Sequence, residues 1–298
     1  EVLLPLNAPG DRQGCRLEGG RVCTPHGFPA AWRAYVDAGW PALSCDPDWG
    51  GQGLPRLLDA ALGEMVNATN HAWNMYAGIL HGAYETVKAH GSDDLKARYL
   101  SRLASGEWLS AMALTEPQSG SDLGGVRTRA EPQADGSLAV TGSKVFISGG
   151  DHDLTDNIVH LVLAKIPDES GKLPPGPKGI SLFIVPRVMV DAEGRLTGRR
   201  NDVALVGLNH KLGYRGIPNT LLNFGEGRFP VAADGSAEAV RPGAVGYLVG
   251  AAGTGLASMF HMMNEARINV GMGAAMLGCA GYLASLDYAR NRPQGRVD

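Results

Sequence analysis

Apolar positions recur every three to four residues in the first third of the chain, alternate in short runs through the middle, and return to helical spacing near the end. Phe28, Trp32, Tyr35 and Val36 predict a helix that Gly39-Trp40-Pro41 closes. The segments 54–69, 75–90 and 93–104 each carry apolar residues near i, i+3, i+4 and i+7, so three helices are expected to bury their apolar faces against one another. Ser92, Asp93 and Asp94 supply a cap and negative charge at the positive end of the last one. Residues 1–26 show little periodicity and read as an extended lead-in.

After Trp108 the pattern changes to strands at 108–114, 128–131, 138–141, 144–148, 158–165, 180–185, 203–207 and 220–224, separated by turn residues. Pro and Gly mark 165–178 and 225–243 as exposed loops. From 253 to 292 helical periodicity returns through Leu256, Met259, Met263, Ile268, Leu277 and Leu283. Gly271, Gly273, Gly278 and Gly281 weaken that helix by about 1 kcal/mol each relative to Ala, which implies close packing on a neighbour. The fold class is therefore α+β multidomain: a helical domain over 1–107, a central β domain over 108–243, and the start of a second helical domain over 244–298.

Composition narrows the function classes. With 44% hydrophobic residues in 298, the chain has ample core. A net charge of −3, from 27 basic and 30 acidic residues, gives no electrostatic footprint for nucleic acid. No apolar run looks long enough to cross a bilayer, and the N-terminus lacks a secretory pattern, so no membrane partner and a cytoplasmic location are expected. Four cysteines without CxxC spacing suit a reducing compartment, and the eight histidines never fall at metal-ligand spacing, so no metal site is expected. His71, His81 and His90 read as helix-surface or satisfied core groups, because nothing near them in sequence would tune them.

Two stretches carry chemistry. Residues 113–122, Ala-Leu-Thr-Glu-Pro-Gln-Ser-Gly-Ser-Asp, end a strand at a proline and turn at Gly120, so the amides and hydroxyls of Gly120, Ser121 and Asp122 can converge on an oxyanion or a polar ring edge. An ordinary Asx or ST turn has the same composition. Residues 142–150, Gly-Ser-Lys-Val-Phe-Ile-Ser-Gly-Gly, form a second apolar strand that ends in a hydroxyl. Gly50-Gly51-Gln52-Gly53 reads as a turn, since no strand feeds it and no Gly-Lys-Ser/Thr follows.

Together these stretches resemble the acyl-CoA dehydrogenase family, in which a TEP...GSD loop and a K-x-(W/F)-I-(T/S) strand hold a flavin. The segments 50–55, 150–153, 201–202, 210–213 and 288–295 extend the resemblance, to long-form members especially, over nearly the whole chain. It implies the three-part architecture above, FAD as cofactor, an acyl-CoA substrate, an electron-transfer flavoprotein or similar acceptor, and a homo-oligomer. It also implies that the natural protein extends past both ends of this chain, since residue 1 is Glu and family members continue beyond the long helix.

Residue by residue, the resemblance places the backbone at Leu114 and the Thr115 hydroxyl at the flavin pyrimidine edge and Ser121 by the pyrophosphate, with Met112 and Gly120 also among the cofactor-binding residues. Phe146 packs on the ring, and Ile147 and Ser148 lie near its N5. Arg292 matches an arginine that serves the FAD of a neighbouring subunit, although Pro293-Gln294-Gly295 replaces the usual phenylalanine beyond it. Ser121, Arg215 and Arg267 are the substrate-side candidates. Lys211 and Arg215 sit in a Gly-rich turn, either touching the CoA nucleotide or standing as solvated charges. Arg267 interrupts a largely apolar helix face, where a charge is costly unless bound.

No catalytic base is expected within the chain. The family's glutamate base lies in helices past Asp298, or in some members at the position held here by Ala266. Glu265 is one residue, about 100°, further round the helix. The activity implied is α,β-dehydrogenation of an acyl-CoA. An acyl-CoA oxidase, or a non-catalytic flavin-binding or interaction protein on the same scaffold, remains an alternative.

Overall fold

The computed structural model describes residues 1–232 and 243–295. Part of the loop expected over 225–243, and the last three residues, lie outside the described residues.

The helical region opens with α1 (Leu4–Gln13), a short hairpin of β1 (Arg16–Glu18) and β2 (Arg21–Cys23), and α2 (Phe28–Asp37). The first three correct the expectation of an extended lead-in. Pro5 suits the first turn of α1, but Pro9 inside the helix and a weakly apolar face hide it from a periodicity reading. Tertiary contact holds it instead: a Cβ at Gly10 would sit 2.8 Å from the Phe28 ring, and Leu6 packs on the same core.

Next come α3 (Arg56–His90) and α4 (Asp93–Ser105). The two helices expected at 54–69 and 75–90 appear as one kinked element, with Asn70 non-helical at φ −157° and ψ 83°. Its side chain makes the break viable, since Oδ1 accepts from Trp73 N at 3.1 Å and so caps the second segment, while Nδ2 donates to Leu3 O at 3.3 Å. Ser92 caps α4 through Leu95 N, as its sequence suggests.

The β domain runs through β3 (Leu109–Ala113), β4 (Arg129–Pro132), β5 (Leu138–Ser148), β6 (Ile158–Lys165), β7 (Ile180–Pro186), β8 (Val188–Val190), β9 (Leu196–Arg200), β10 (Val203–Leu208), β11 (Asn219–Phe224) and β12 (Ala244–Val249). Five strands close on themselves: β5 pairs with β12 and β4, β12 with β7, β7 with β6, and β4 reaches β6 where Arg129 lies opposite Lys165. Strand β3 adds parallel to β6, and β11 then β10 extend from β5. Val140, Val162, Phe183 and Phe224 fill the inside. A second core, with Trp32, Trp73, Tyr84, Trp108 and Leu161, joins the helices to the outer face of the sheet.

Strand β12 corrects the boundary drawn at 243, because residues 244–249 belong to the sheet and not to the helical segment. Asn201, fully buried, fixes it there: its Nδ2 donates to Val245 O at 2.9 Å and its Oδ1 accepts from Val245 N at 2.8 Å. Asp151 similarly ties Arg187 at 2.9 Å, and Asp153 holds Thr24 Oγ1 at 2.6 Å. Segments 150–153 and 201–202 are thus staples of the β domain.

Helix α5 (Gly255–Asn291) starts hard against β7, where a Cβ at Gly255 would lie 2.3 Å from the Ser181 carbonyl carbon. Its first half packs along α3, burying Met259 and Met262. Among the described residues α5 is also long and apolar enough to cross a membrane by length and composition, which corrects the expectation that no such run exists. The cause is 268–286, a stretch without one charged residue. Small and apolar side chains are equally what close helix packing uses.

Candidate functional site

The ends of β3 and β5 meet at a buried ion pair. Lys144 is fully buried, and its Nζ donates to Glu116 Oε1 at 2.8 Å and to Leu114 O at 2.9 Å. Glu116 also accepts from Thr128 N, Thr128 Oγ1 and Arg127 N at 3.0, 2.5 and 2.8 Å, so both carboxylate oxygens are occupied. Burial raises the Glu116 pKa, but the charge and hydrogen bonds of Lys144 and the other donors outweigh it and hold it at about 2. Burial pulls Lys144 down to about 8 against the opposing pull of Glu116, so the pair is ionised at neutral pH.

This clamp sets the two strand ends. Thr115 O accepts from Val145 N at 2.9 Å, and a Glu116–Ser119 bridge closes the turn that follows. Ser119 Oγ donates to Asp122 O at 2.5 Å, and the Asp122 carboxylate caps the next turn through Gly124 N at 2.8 Å. Asp122 therefore spends its carboxylate inside the loop. Gly120 and Ser121 stand exposed, and the Ser121 hydroxyl has no partner among the described residues.

Strand β5 bulges beside the clamp: between the pairs Thr220–Ile147 and Leu222–Lys144, one residue of β11, Leu221, opposes two of β5, Val145 and Phe146. The bulge puts Phe146 at φ 60°, a left-handed conformation that an aromatic residue rarely adopts, and leaves its ring 62% exposed. Ile147 is buried in the barrel, so it supports the surface from behind and offers only backbone to a ligand. The hydroxyls of Thr115 and Ser148, both half-buried, make no hydrogen bond among the described residues. An exposed aromatic ring with unspent hydroxyls around it is a donor set that fits a flat, polar-edged ring system.

Met112 and Leu114 point from β3 toward the helices, while Ala111 and Ala113 face the barrel. Ser110 Oγ ties β3 to α3 through Ile79 O at 3.1 Å. Between them lies a mainly apolar cleft of about 50 Å³, lined by Met112, by Asn67, His71 and Met75 of α3, by Tyr214, and by Ala266 of α5. Tyr214, at φ 60°, donates its hydroxyl to His71 O at 3.0 Å. Burial lowers the His71 pKa below its usual 6.5, and its Nδ1 is unpartnered. Sequence reading assigned His71 and Tyr214 no place here, because the loop at 214 is some 140 residues from α3 along the chain.

Glu265 turns away from this cleft. Its Oε1 lies 2.5 Å from His81 Nδ1, and His81 Nε2 lies 3.0 Å from Ser44 Oγ, with Asp59, Glu85 and Arg56 around the pair. This overturns the expectation that nothing tunes the histidines. Burial pulls His81 down, but the hydrogen bond and charge of Glu265 win, and its pKa rises above 6.5. Burial raises Glu265, yet His81 and Arg56 bring it below 4.5. The sign follows for each group. The raised His81 stabilises the fold below its unfolded value and loses that effect as pH rises through the folded value. The lowered Glu265 stabilises above its unfolded value and loses that effect in acid. His81→Gln is therefore expected to lower the melting temperature most near pH 5 to 6, by the equivalent of about 2 kcal/mol, with the gap to wild type closing as pH is raised well above 6.5. A gap constant from pH 5 to 9 would refute it.

The remaining substrate-side candidates lie elsewhere. Arg215 pairs with Asp11 of α1, its backbone N donating at 2.8 Å, beside a separate cavity of about 200 Å³ that also holds Cys15 and Lys211. Lys211 donates to Tyr214 O. Arg267 corrects the idea of a costly buried cation: it is exposed, bonded to Asn264 at 3.1 Å and stacked over Phe260 at 5.1 Å. Its apolar neighbours Ile268 and Val270 are 72% and 53% exposed, so no desolvation arises there. Arg292 caps the far end of α5 over Tyr288.

Comparison with known proteins agrees with this geometry. The N-terminal domain model of acyl-CoA dehydrogenases matches residues 21–107, and the middle domain model matches 111–226. A 3-methylmercaptopropionyl-CoA dehydrogenase of Ruegeria pomeroyi is 42% identical over 99% of this chain and 47% of its own length. The chain spans about half the length of the curated relatives it matches. Among solved structures, one described as an electron transferring flavoprotein of Acidaminococcus fermentans aligns with TM-score 0.74 at 21% identity, covering 99% of this chain and 66% of that one. Butyryl-CoA dehydrogenase from Megasphaera elsdenii aligns at 0.73 and 20%, covering 98% and 66%.

Proposed function

This chain belongs to the acyl-CoA dehydrogenase family, and we propose that the protein is an FAD-dependent dehydrogenase that introduces a double bond between the α and β carbons of an acyl-CoA thioester. The observation that carries the reading is the bulged strand end: a strained, exposed Phe146 and the unspent hydroxyls of Thr115 and Ser148, locked together by Lys144 and Glu116 beside an apolar cleft.

In this reading Phe146 supports one face of the flavin, Thr115, Ser148 and the backbone of Leu114 and Ile147 meet its polar edge, and Gly120 and Ser121 serve its phosphates. FAD held there would supply the acceptor for a hydride leaving the β carbon. Met112, Met75 and Ala266 line the cleft that takes the acyl group and excludes water from it. Among the described residues no carboxylate lines that cleft, and Ala266, where the resemblance to the family puts the base of some members, does line it. Glu265 is committed to His81, so we assign the base to none of the described residues.

Reoxidation by an electron-transferring flavoprotein is proposed as the physiological route. Assembly into an oligomer is proposed because Ile268, Leu277, Tyr282 and Leu283 leave a broad apolar face of α5 exposed, with the Arg292 cation at its end. Four free thiols support a cytoplasmic setting.

The test uses the full-length protein. It is expected to turn yellow with FAD, to bleach anaerobically when a short acyl-CoA is added, and to recover colour slowly in air. A protein that takes up no flavin overturns the cofactor assignment. One that takes it up but is bleached by no acyl-CoA overturns the reaction, and rapid recovery in air would make it an oxidase.

A further inference from the structure

The cavity of about 200 Å³ beside Arg215 shares no wall residue with the apolar cleft. It forms where the link between α1 and β1 meets the loop between β10 and β11, and Cys15, Asn209, His210, Lys211, Arg215 and Asn219 supply its polar groups. Among the described residues no carboxylate lines it.

The loop brings two cations to one cavity. Tyr214, between them, stands at φ 60°, and a left-handed tyrosine turns the chain between Lys211 and Arg215. Several bonds hold this turn in place. The Tyr214 hydroxyl donates to His71 O at 3.0 Å, Lys211 Nζ donates to the Tyr214 carbonyl, and Cys15 N donates to Arg215 O at 3.0 Å. Strain of this kind persists only where the surroundings impose it, and it points to groups that the loop must present.

Both cations are under-used. Lys211 spends one N–H on Tyr214 O, and its other two make no hydrogen bond among the described residues. Burial pulls its pKa below the usual 10.5, because the groups around it supply too little negative charge to offset the lost water. Burial also pushes the Cys15 thiol up to about 12, so Cys15 is neutral at physiological pH and adds no anion. The Arg215 guanidinium makes no hydrogen bond among the described residues. Its ion pair with Asp11 spans 3.7 Å with both side chains more than a third exposed, and a pair so loose contributes little. Asn209 Nδ2 donates to Asn219 Oδ1 at 2.8 Å, which leaves the Asn219 amide nitrogen as a further donor. Two cations and an amide, set against one loosely held carboxylate, call for an anion. A phosphate group suits them better than a carboxylate, since its tetrahedral oxygens can meet donors that arrive from separate sides of the turn, whereas a planar carboxylate would engage the Arg215 fork alone.

We propose that this cavity is a phosphate-binding site, separate from the acyl cleft, with Lys211 and Arg215 as its cationic arms and Asn219 as a further donor. The site stands whether or not the protein is a dehydrogenase. Its place in the fold gives it a reach beyond its own walls. Tyr214, whose carbonyl holds Lys211, also lines the acyl cleft, and Asn219 lies opposite Ser148 across the ladder of β5 and β11. A phosphate that draws Lys211 off the Tyr214 carbonyl therefore acts on a residue of the cleft wall, beside the strand end that carries the unspent hydroxyls.

The experiment is a calorimetric titration of the full-length protein at fixed ionic strength, with inorganic phosphate, with glycerol 3-phosphate, and with potassium chloride as the control. The expected result is saturable binding of both phosphate compounds and none of chloride. Tighter binding of glycerol 3-phosphate identifies a phosphate ester as the natural ligand, and equal or weaker binding identifies free phosphate. Lys211→Met and Arg215→Met are each expected to weaken phosphate binding about tenfold. Each variant is checked for a wild-type melting curve. Arg215→Met decides the matter if Lys211→Met misfolds, because the Arg215 side chain makes no hydrogen bond among the described residues. Absence of saturable binding, or binding that a folded variant does not weaken, overturns the inference. Displacement of phosphate by coenzyme A also overturns it, since the cavity would then be part of the acyl-CoA site.

Discussion

Lys144→Met is expected to destabilise the protein by about 3–5 kcal/mol, to lower its melting temperature by about 10 °C, and to leave it without FAD after gel filtration. The cause is the Glu116 carboxylate, 4% exposed, which would lose the one charged partner it has among the described residues and stay buried. Removing one member of a buried pair strands the other, and that costs more than the pair contributes net. FAD is lost as well because Lys144 also holds Leu114 O, and so sets the strand end whose backbone and neighbouring hydroxyl meet the ligand. The double variant Lys144→Met with Glu116→Leu removes both charges and is expected to regain more than half the lost stability without regaining FAD.

Acid gives the same test without mutation. Glu116 is depressed to about 2, so its contribution is complete above its ordinary value of 4.5 and disappears as pH falls toward 2. Wild type is expected to lose stability over that interval and the double variant to lose less. Calorimetry and flavin absorbance suffice. A Lys144→Met protein within 1 kcal/mol of wild type would show that the clamp is ornamental.

Phe146→Gly is expected to move stability and cofactor affinity in opposite directions. A left-handed conformation costs a side-chain-bearing residue about 1–2 kcal/mol, and glycine removes that strain at an entropic cost of up to about 1 kcal/mol. The apoprotein should therefore be unchanged or slightly more stable. Affinity for FAD should fall about ten- to a hundredfold, or about 1.4–2.8 kcal/mol, because the exposed ring is the largest apolar surface at the strand end. Fluorescence titration of the apoprotein with FAD measures the second effect and thermal melting the first. Unaltered affinity would remove Phe146 from the cofactor site and leave its strain without a function.

The order of helices, strands and helix was legible in the chain because each element buries one face, and the spacing of apolar residues records which face that is. The strand ends at Thr115 and Ser148 were legible for a similar reason: turn chemistry is local, and Pro117, Gly120 and Gly149-Gly150 announce where a ladder stops. The turn of Glu265 away from Ala266 also followed from helix geometry alone.

What the chain did not show depends on contacts between distant residues. Helix α1 has poor periodicity and an internal proline, and it exists because Gly10 fits against Phe28. Strand β12 was hidden in a short apolar run next to a helix, and Asn201 decides its place from 44 residues away. Arg267 looked costly while its face of α5 was assumed covered, and became unremarkable once that face proved open. The β5 bulge and the His81–Glu265 pair have no local signature, since each depends on the register of β11 or on how α5 lies along α3. Local propensity and periodicity determined the elements and the stretches that could hold a ligand. Which side chains share a cavity, and with what charge, was decided only when packing brought together residues that the chain keeps far apart.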